Sequence, residues 1–360
     1  MSASRLEKLR SAMKEGQVDA LLISKPENRA YLSGFTGSAG WLLITQQHAY
    51  LITDFRYVEQ ATAEAPLFTV LKPDGMPQAL LAELCQQAQV SRVGIEGDFV
   101  TVDDFATYSQ ALAQQELVSV TGLVESLRMV KDADELALMR RAAEITDQAF
   151  QHVLGFIKPG VTENELIGGA EGFLRSRGAE DMLILTRSQK PHSFITRATD
   201  VPVKEDGVFV YSAEVAGPGG YWTQLIRPIF MSYDAQPEAQ AILEVIKEAE
   251  KAGAAMIRPG NKIRDIAIAI EEVVAKRGYK TGVWSGHGMG ADLGDGIDIG
   301  ASNDMEIVPN MIFTLHPSVV SDTDGLLFGN TFVSTEGEAI CLTPQYQDSL
   351  FIDDLRKVIK

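Results

Sequence analysis

The sequence predicts an α/β (α+β) protein of two domains, residues 1–127 and residues 128–360, and three observations predict it. The first third alternates short apolar, β-branched runs with helical patterning. A long amphipathic helix with a clear start signal begins at Lys131. Beyond it, one segment recurs at an offset of 100 residues. A chain of 360 residues with 45 % hydrophobic content exceeds one ordinary domain and can bury a large core, so two globular domains are the expectation.

Taken in order, the opening "MSASRLEKLRSAMKEGQ" reads as a charged amphipathic helix and not as the apolar core of a signal peptide. No apolar run approaches the roughly 18 residues of a membrane span. The protein is therefore expected in the cytoplasm and away from membranes. "VDALLIS", "GWLLIT" and "AYLITDF" read as strands between polar turns, the framework of an N-terminal α/β domain ending near Leu127. From Lys131, Asp132 and Glu135 form a capping pair, and Leu136, Met139, Ala143, Ala149 and Val153 form the apolar stripe of a helix.

The repeat follows: "FIKPGVTENELIGGAEGFLRSRGA" from Phe156 and "MIRPGNKIRDIAIAIEEVVAKRGY" from Met256. Ile157, Pro159, Gly160, Arg177 and Gly178 match Ile257, Pro259, Gly260, Arg277 and Gly278. Each copy reads as a helix ending at Pro-Gly, a second amphipathic helix, and a stop at Arg-Gly before strand-like sequence. A solenoid needs about three copies. Two copies fit duplicated halves about a pseudo-twofold axis, with the groove between them as the ligand site.

Charge and cysteines narrow the partners. A formal charge of −17 with no Lys/Arg-rich run repels phosphate backbones, which argues against nucleic acid and anionic membrane. Cys85 and Cys341 lie far apart in no close-spaced motif and read as buried free thiols.

Chemistry concentrates in the second domain. "VYSAEVAGPGGYWTQLIRPIF", Val210 to Phe230, reads as two apolar strands about Gly217-Pro218-Gly219-Gly220 and carries one carboxylate, Glu214. Three of the five histidines accompany it: His192 after Pro191, His287 in "WSGHGMG", and His316 closing "MIFTLH". His48 and His152 read as surface or packing residues.

The run "NRAYLSGFTGSAGWLLITQQHAYLITDFRYVEQA", the segment "ESLRMVKDADELALMRRAAEITDQAF", the paired "KPG" and "RPG" elements, Pro191-His192 and "GHGMG" resemble the pita-bread family of Xaa-Pro aminopeptidases, prolidases and creatinases. The resemblance covers nearly the whole chain. It implies an N-terminal creatinase-like domain, a duplicated pita-bread domain with pseudo-twofold symmetry, and a homodimer. Peptidase members hold two divalent metals with two Asp, one His and two Glu. Anchored on Gly220-Tyr221 and Arg227, those positions fall on Ala213, Gln224, His287, His316 and Gly329, so the resemblance implies a degenerate metal site with no metal expected. Glu214, one residue from the vacant position, is expected to face the other way unless a bulge turns it in. The family's later substrate-binding histidine falls at Gly294-Asp295.

Three readings compete for this residue set. The first is a metal-independent hydrolase or lyase of a small amino-acid-derived or dipeptide-like substrate, with creatinase as precedent. In it His192, His287 and His316 are catalytic, and Arg227, Gln224, Tyr211 and Trp222 bind substrate. Creatine itself is not implied, because the glutamates that recognise its guanidinium fall on Ile226 and His316. The second is a single zinc held by His192, His287 and His316. The third is a non-catalytic module that binds a short peptide.

Overall fold

The computed structural model describes residues 3–188, 195–282, 284–321 and 325–359. It divides into two compact units, Met1–Arg128 and Met129–Lys360. Among the described residues no helix is long and apolar enough to cross a membrane.

The first unit is a six-stranded mixed sheet with helices on both faces. Its strands are β1 (Ala20–Ile23), β2 (Trp41–Thr45), β3 (Ala49–Ile52), β4 (Thr69–Leu71), β5 (Arg92–Glu96) and β6 (Glu116–Val120), in the order β4-β3-β2-β1-β5-β6. The helices are α1 (Ala3–Glu15), α2 (Pro26–Ser33), α3 (Val58–Glu64), α4 (Pro77–Gln87), α5 (Val102–Ala111) and α6 (Glu125–Arg128). The three sequence-predicted strands are β1, β2 and β3. They read as unbroken apolar runs because both of their faces are covered. Leu21, Ile23, Leu42, Ile44 and Leu51 enter one core, while Ala20, Leu22, Leu43 and Ile52 enter the other. At the end of β5, buried Glu96 accepts from the Ser24 and Lys25 amides at 2.7 and 2.8 Å, which fixes the chain just before α2.

The second unit carries the duplication. In the first copy α7 (Ala133–Phe156) and α8 (Glu163–Ser176) precede β7 (Asp181–Arg187), β8 (Val208–Ala216) and β9 (Trp222–Phe230). In the second, α9 (Pro237–Met256) and α10 (Ile263–Lys276) precede β10 (Lys280–Thr281), β11 (Gly286–Gly288), β12 (Ile312–Leu315), β13 (Ser318–Val320), β14 (Gly325–Leu327), β15 (Asn330–Val333) and β16 (Ile340–Cys341); α11 (Ile352–Val358) follows. The helix ends keep the offset of 100 because the same local chemistry sets them. Asp132 and Glu135 make the expected reciprocal cap on α7. At the start of the second helix of each copy, an acid three residues in accepts from the cap amide at 2.8 Å, Glu165 from Thr162 and Asp265 from Lys262. Both copies stop at a glycine in left-handed geometry, Gly178 (φ +88°) and Gly278 (φ +81°), where a side chain is disfavoured.

Strands β7, β8 and β9 form an antiparallel sheet, and β11, β12, β15 and β16 form a second in that order. A backbone bridge joins them, Ile226 to Gly329. One core surrounds both, from Phe150 and Val153 of α7 to Ile246 of α9, Ile270 of α10 and Phe313 of β12. The hairpin β8–β9 is thus buried on both faces, and the character of each face decides what it can do.

Candidate active site

The register of the hairpin sets the site. Glu214 lies directly opposite Gln224, and Ala213 opposite Leu225. Pairing Ala213 with Gln224 would need four connecting residues, whereas the connection here has five, from Gly217 to Tyr221, closed by Gly217 N–H donating to Tyr221 O at 2.9 Å. That one residue moves every side chain of β8 to the opposite face. Ala213 therefore sits fully buried in the apolar core beside Leu225, and Glu214 stands on the face that sequence reasoning assigned to Ala213. The expectation that Glu214 turns away is corrected without any bulge.

Glu214 belongs to a polar row that crosses both sheets. On the second sheet His287 of β11 faces Thr314 of β12, which faces Thr331 of β15. The Thr331 hydroxyl accepts from the Gln224 amide at 2.9 Å and donates to the Gln224 carbonyl at 3.0 Å, fastening the two sheets. The Gln224 side chain is committed at both ends. Its Oε1 accepts from Thr314 Oγ1 at 2.7 Å, and its Nε2 donates to Glu214 Oε1 at 2.7 Å. The same Glu214 oxygen lies 3.6 Å from His287 Nε2.

The glycines beside His287 explain how its ring reaches this row. A Cβ on Gly286 would fall 2.1 Å from Thr314 O, and one on Gly288 would fall 2.7 Å from Ile297 Cβ. Only glycine lets β11 lie so close to its neighbours, with His287 as the side chain projecting to the site. His287 Nδ1 pairs with Gly288 O at 2.9 Å, so Nδ1 carries the proton and Nε2 faces Glu214.

His316 follows β12 and is held by its own amide donating to Ser285 O at 2.9 Å. Its ring lies 5.3 Å from that of His287, inclined by 60°. Burial, reinforced by the His287 ring, pushes the His316 imidazole down to about 3, so it is neutral at pH 7. Gly329 packs against it, with room for no side chain: a Cβ there would fall 2.7 Å from Leu315 O and 3.0 Å from His316 Cβ.

Two residues assigned to substrate binding lie on the other face of the hairpin. Arg227 is opposite Tyr211, three residues from Gln224 and therefore of the other parity. All of its N–H groups are used internally: Nε on Gln345 O, Nη1 on Ile226 O and Gly329 O, and Nη2 on Asn330 Oδ1 and Thr343 O. Phe328 covers it, with the guanidinium 4.6 Å from the ring centroid. Arg227 is a caged structural cation with no donor left for a substrate carboxylate, and burial pushes it down to about 10. Tyr211 is equally buried, against Phe150, and its hydroxyl has no hydrogen-bond partner. Trp222 is half-buried and packs with Met139, Tyr221 and Met289, while the Tyr221 hydroxyl donates to Glu135.

Of the residues that sequence reasoning assigned to the site, Gln224, His287 and His316 lie close together here, and His192 lies outside the described residues. Sequence reasoning missed Thr314, which pairs with His287 across β11 and β12, and Thr331, which pairs with Thr314 across β12 and β15. It also missed the fully buried ion pair of Lys131 with Asp295, 2.9 Å long, at the place where the family's histidine was sought. Among the described residues no three His, Cys, Asp or Glu side chains are grouped so as to hold a metal ion.

Comparison with known proteins places this geometry. Residues 5–130 match the creatinase/prolidase N-terminal domain, and residues 137–336 match metallopeptidase family M24. The uncharacterized peptidase YqhT of Bacillus subtilis is 31 % identical over 341 residues, covering 92 % of this chain and 95 % of the relative. The Xaa-Pro dipeptidase of Pyrococcus furiosus is 25 % identical over 360 residues, covering 96 % and 99 %. Among solved structures, a Xaa-Pro dipeptidase from Bacillus anthracis superposes with a TM-score of 0.91 at 27 % identity, over 97 % of this chain and 99 % of that one. The chain belongs to metallopeptidase family M24, in its creatinase and Xaa-Pro peptidase branch.

Proposed function

We propose that the protein is a hydrolase of dipeptide-like or other small amino-acid-derived substrates that works without the paired metals of its family, with His287 and Glu214 handling the proton. The observation that carries this reading is the chain Thr314 to Gln224 to Glu214, which holds a carboxylate oxygen 3.6 Å from His287 Nε2.

Two bridged hard cations need several anionic oxygens. The polar row offers one carboxylate, one carboxamide and two imidazoles, and both ends of the carboxamide are occupied. That donor set does not fit a two-metal centre, so no step is assigned to metals. The zinc reading needs His192 beside the other two rings, which metal binding can decide.

What the residues can do is proton chemistry. With Nδ1–H fixed on Gly288 O, the Nε2 lone pair can take a proton from a water attacking a substrate carbonyl and return it to the leaving nitrogen as the C–N bond breaks. The imidazolium so formed keeps its Nδ1–H on Gly288 O, and its charge is offset by the Glu214 carboxylate 3.6 Å away. His316 stays neutral and can hydrogen-bond the substrate without repelling that charge. Two imidazoles in unlike settings can thus divide two roles. The relatives named Xaa-Pro dipeptidase suggest the size of the substrate.

The test is turnover of a panel of Xaa-Pro dipeptides and small amides in the presence of chelator. Glu214→Gln keeps the shape and the Gln224 contact but removes the charge. It is expected to lower kcat by about 10²-fold or more, the usual scale of general-base assistance. Full chelator sensitivity, or an unchanged kcat in Glu214→Gln, would defeat the proposal. Dipeptide binding without turnover in the intact protein would favour the binding module instead.

A further inference from the structure

The duplication supplies an internal control for one surface of the second unit. In the second copy Arg277, just after α10, binds Glu248 of α9 at 2.6 Å. The offset of 100 puts Arg177 and Gln148 in the same places in the first copy, where the glutamine cannot neutralise the arginine. There the exposed Arg177 guanidinium lies over Phe173, 5.0 Å from the ring centroid, and among the described residues it has no hydrogen-bond or ion-pair partner. Gln148 Oε1 is buried with no hydrogen-bond partner. An orphan acceptor of this kind is costly and calls for a donor.

The surroundings differ in the same sense. Where the second copy has Ala252 and Val273, the first has His152 and Phe173, whose rings stack at 4.8 Å with an interplanar angle of 17°. With Gln151, these residues line a shallow cavity of about 370 Å³, wide open to solvent, between α7 and α8. The first copy has therefore lost the acid that closes the position and gained two rings beside it. A spare guanidinium, an orphan carbonyl oxygen and an aromatic stack together match a ligand that carries an anion, a donor and an apolar group.

We propose that this cavity is a second ligand site, which takes a small zwitterionic α-amino acid with an aromatic side chain. Its carboxylate occupies the place of the Glu248 carboxylate in the second copy and forks onto Arg177. Its ammonium donates to Gln148 Oε1, and its side chain lies along the Phe173 and His152 rings. The site is independent of the His287 chemistry.

The probe is L-phenylalanine, titrated calorimetrically into the full chain. Gln148→Glu reproduces the ion pair of the second copy, so the variant should fold, and the new carboxylate should exclude that of the ligand. We expect one saturable site in the unaltered protein, retained in His287→Ala and weakened at least about tenfold in Gln148→Glu and in Arg177→Gln. Acetate, which lacks the donor and the ring, and 2-phenylethylamine, which lacks the carboxylate, should not displace it. No saturable binding, or equal binding in Gln148→Glu, would overturn the assignment. Loss in His287→Ala would move the ligand to the hairpin site, and acetate binding as tightly would reduce the cavity to an anion site; either also overturns it.

Discussion

Each face of the β8–β9 hairpin holds a buried polar network, yet the two differ in whether that network closes on itself. Around Arg227 every N–H meets a carbonyl or the Asn330 side chain, and Asn330 in turn donates to buried Glu250 at 2.9 and 3.1 Å. Around Glu214 the chain of bonds runs outward instead, from Thr314 through Gln224 to a carboxylate oxygen directed at the more accessible His287. A closed network can only hold the fold together. An open one has a free end at which a substrate can join, which is why the site is placed on the Glu214 face.

If that contrast is right, damage to the closed face should appear as lost stability. The largest effect is expected for Arg227→Met, which leaves several buried carbonyls and the Glu250 carboxyl without their cation. Breaking such a centre costs about 3–5 kcal/mol, readable as a lower urea midpoint. An unchanged midpoint would mean that the cage is not structural.

Next comes the pH dependence that Glu250 imposes. Burial, only partly offset by Arg227, pushes its carboxyl up to about 7, and Asp147 is raised to a similar value by burial. The native state keeps these protons while the unfolded chain releases them nearer 4, so stability is lost as pH rises from about 4 to about 7, by up to about 1.4 kcal/mol per unit for each group. Glu250→Gln should remove one share of that slope. A slope unchanged in the variant would contradict the assignment.

On the open face His316 acts with the opposite sign and more weakly, because the residue is only partly buried. Its folded value near 3 lies below the ordinary 6.5, so the unfolded chain binds the extra proton between them. The stability contribution is complete above about 6.5 and is lost as pH falls toward 3. His316→Asn should flatten acid unfolding within that window, as followed by circular dichroism.

The smallest effect is expected for Tyr211→Phe. The hydroxyl is buried without a partner and on the closed face, so its removal should be neutral or stabilising by about 1 kcal/mol, with turnover unchanged. A loss of turnover would restore Tyr211 to the substrate side and break the division between the two faces.

These residues also show how far sequence carries the reading. Strands β1 to β3, the α7 cap and the duplicated helix pairs were legible, since local periodicity and capping chemistry decide them. Gln224, His287 and His316 were legible because sequence spacing from the hairpin and the glycine loop survives in this chain. The orientation of Glu214 was not, because the turn Gly217–Tyr221 holds one residue more than its glycines suggest, and face assignment inverts with each residue. Arg227 misled for a different reason: an arginine on a site hairpin looks available until the carbonyls of Gly329, Thr343 and Gln345 are seen around it.

Metal stoichiometry decides between proton chemistry at His287 and Glu214 and a pair of metals. The full chain would be purified without chelator, loaded with Mn²⁺, Co²⁺ and Zn²⁺ in turn, dialysed exhaustively and analysed for metal per chain. No retained metal and no gain in turnover on loading are expected. Two retained ions per chain, with activity rising in step, would contradict the proton chemistry, and one ion lost in His316→Ala would give the site to zinc.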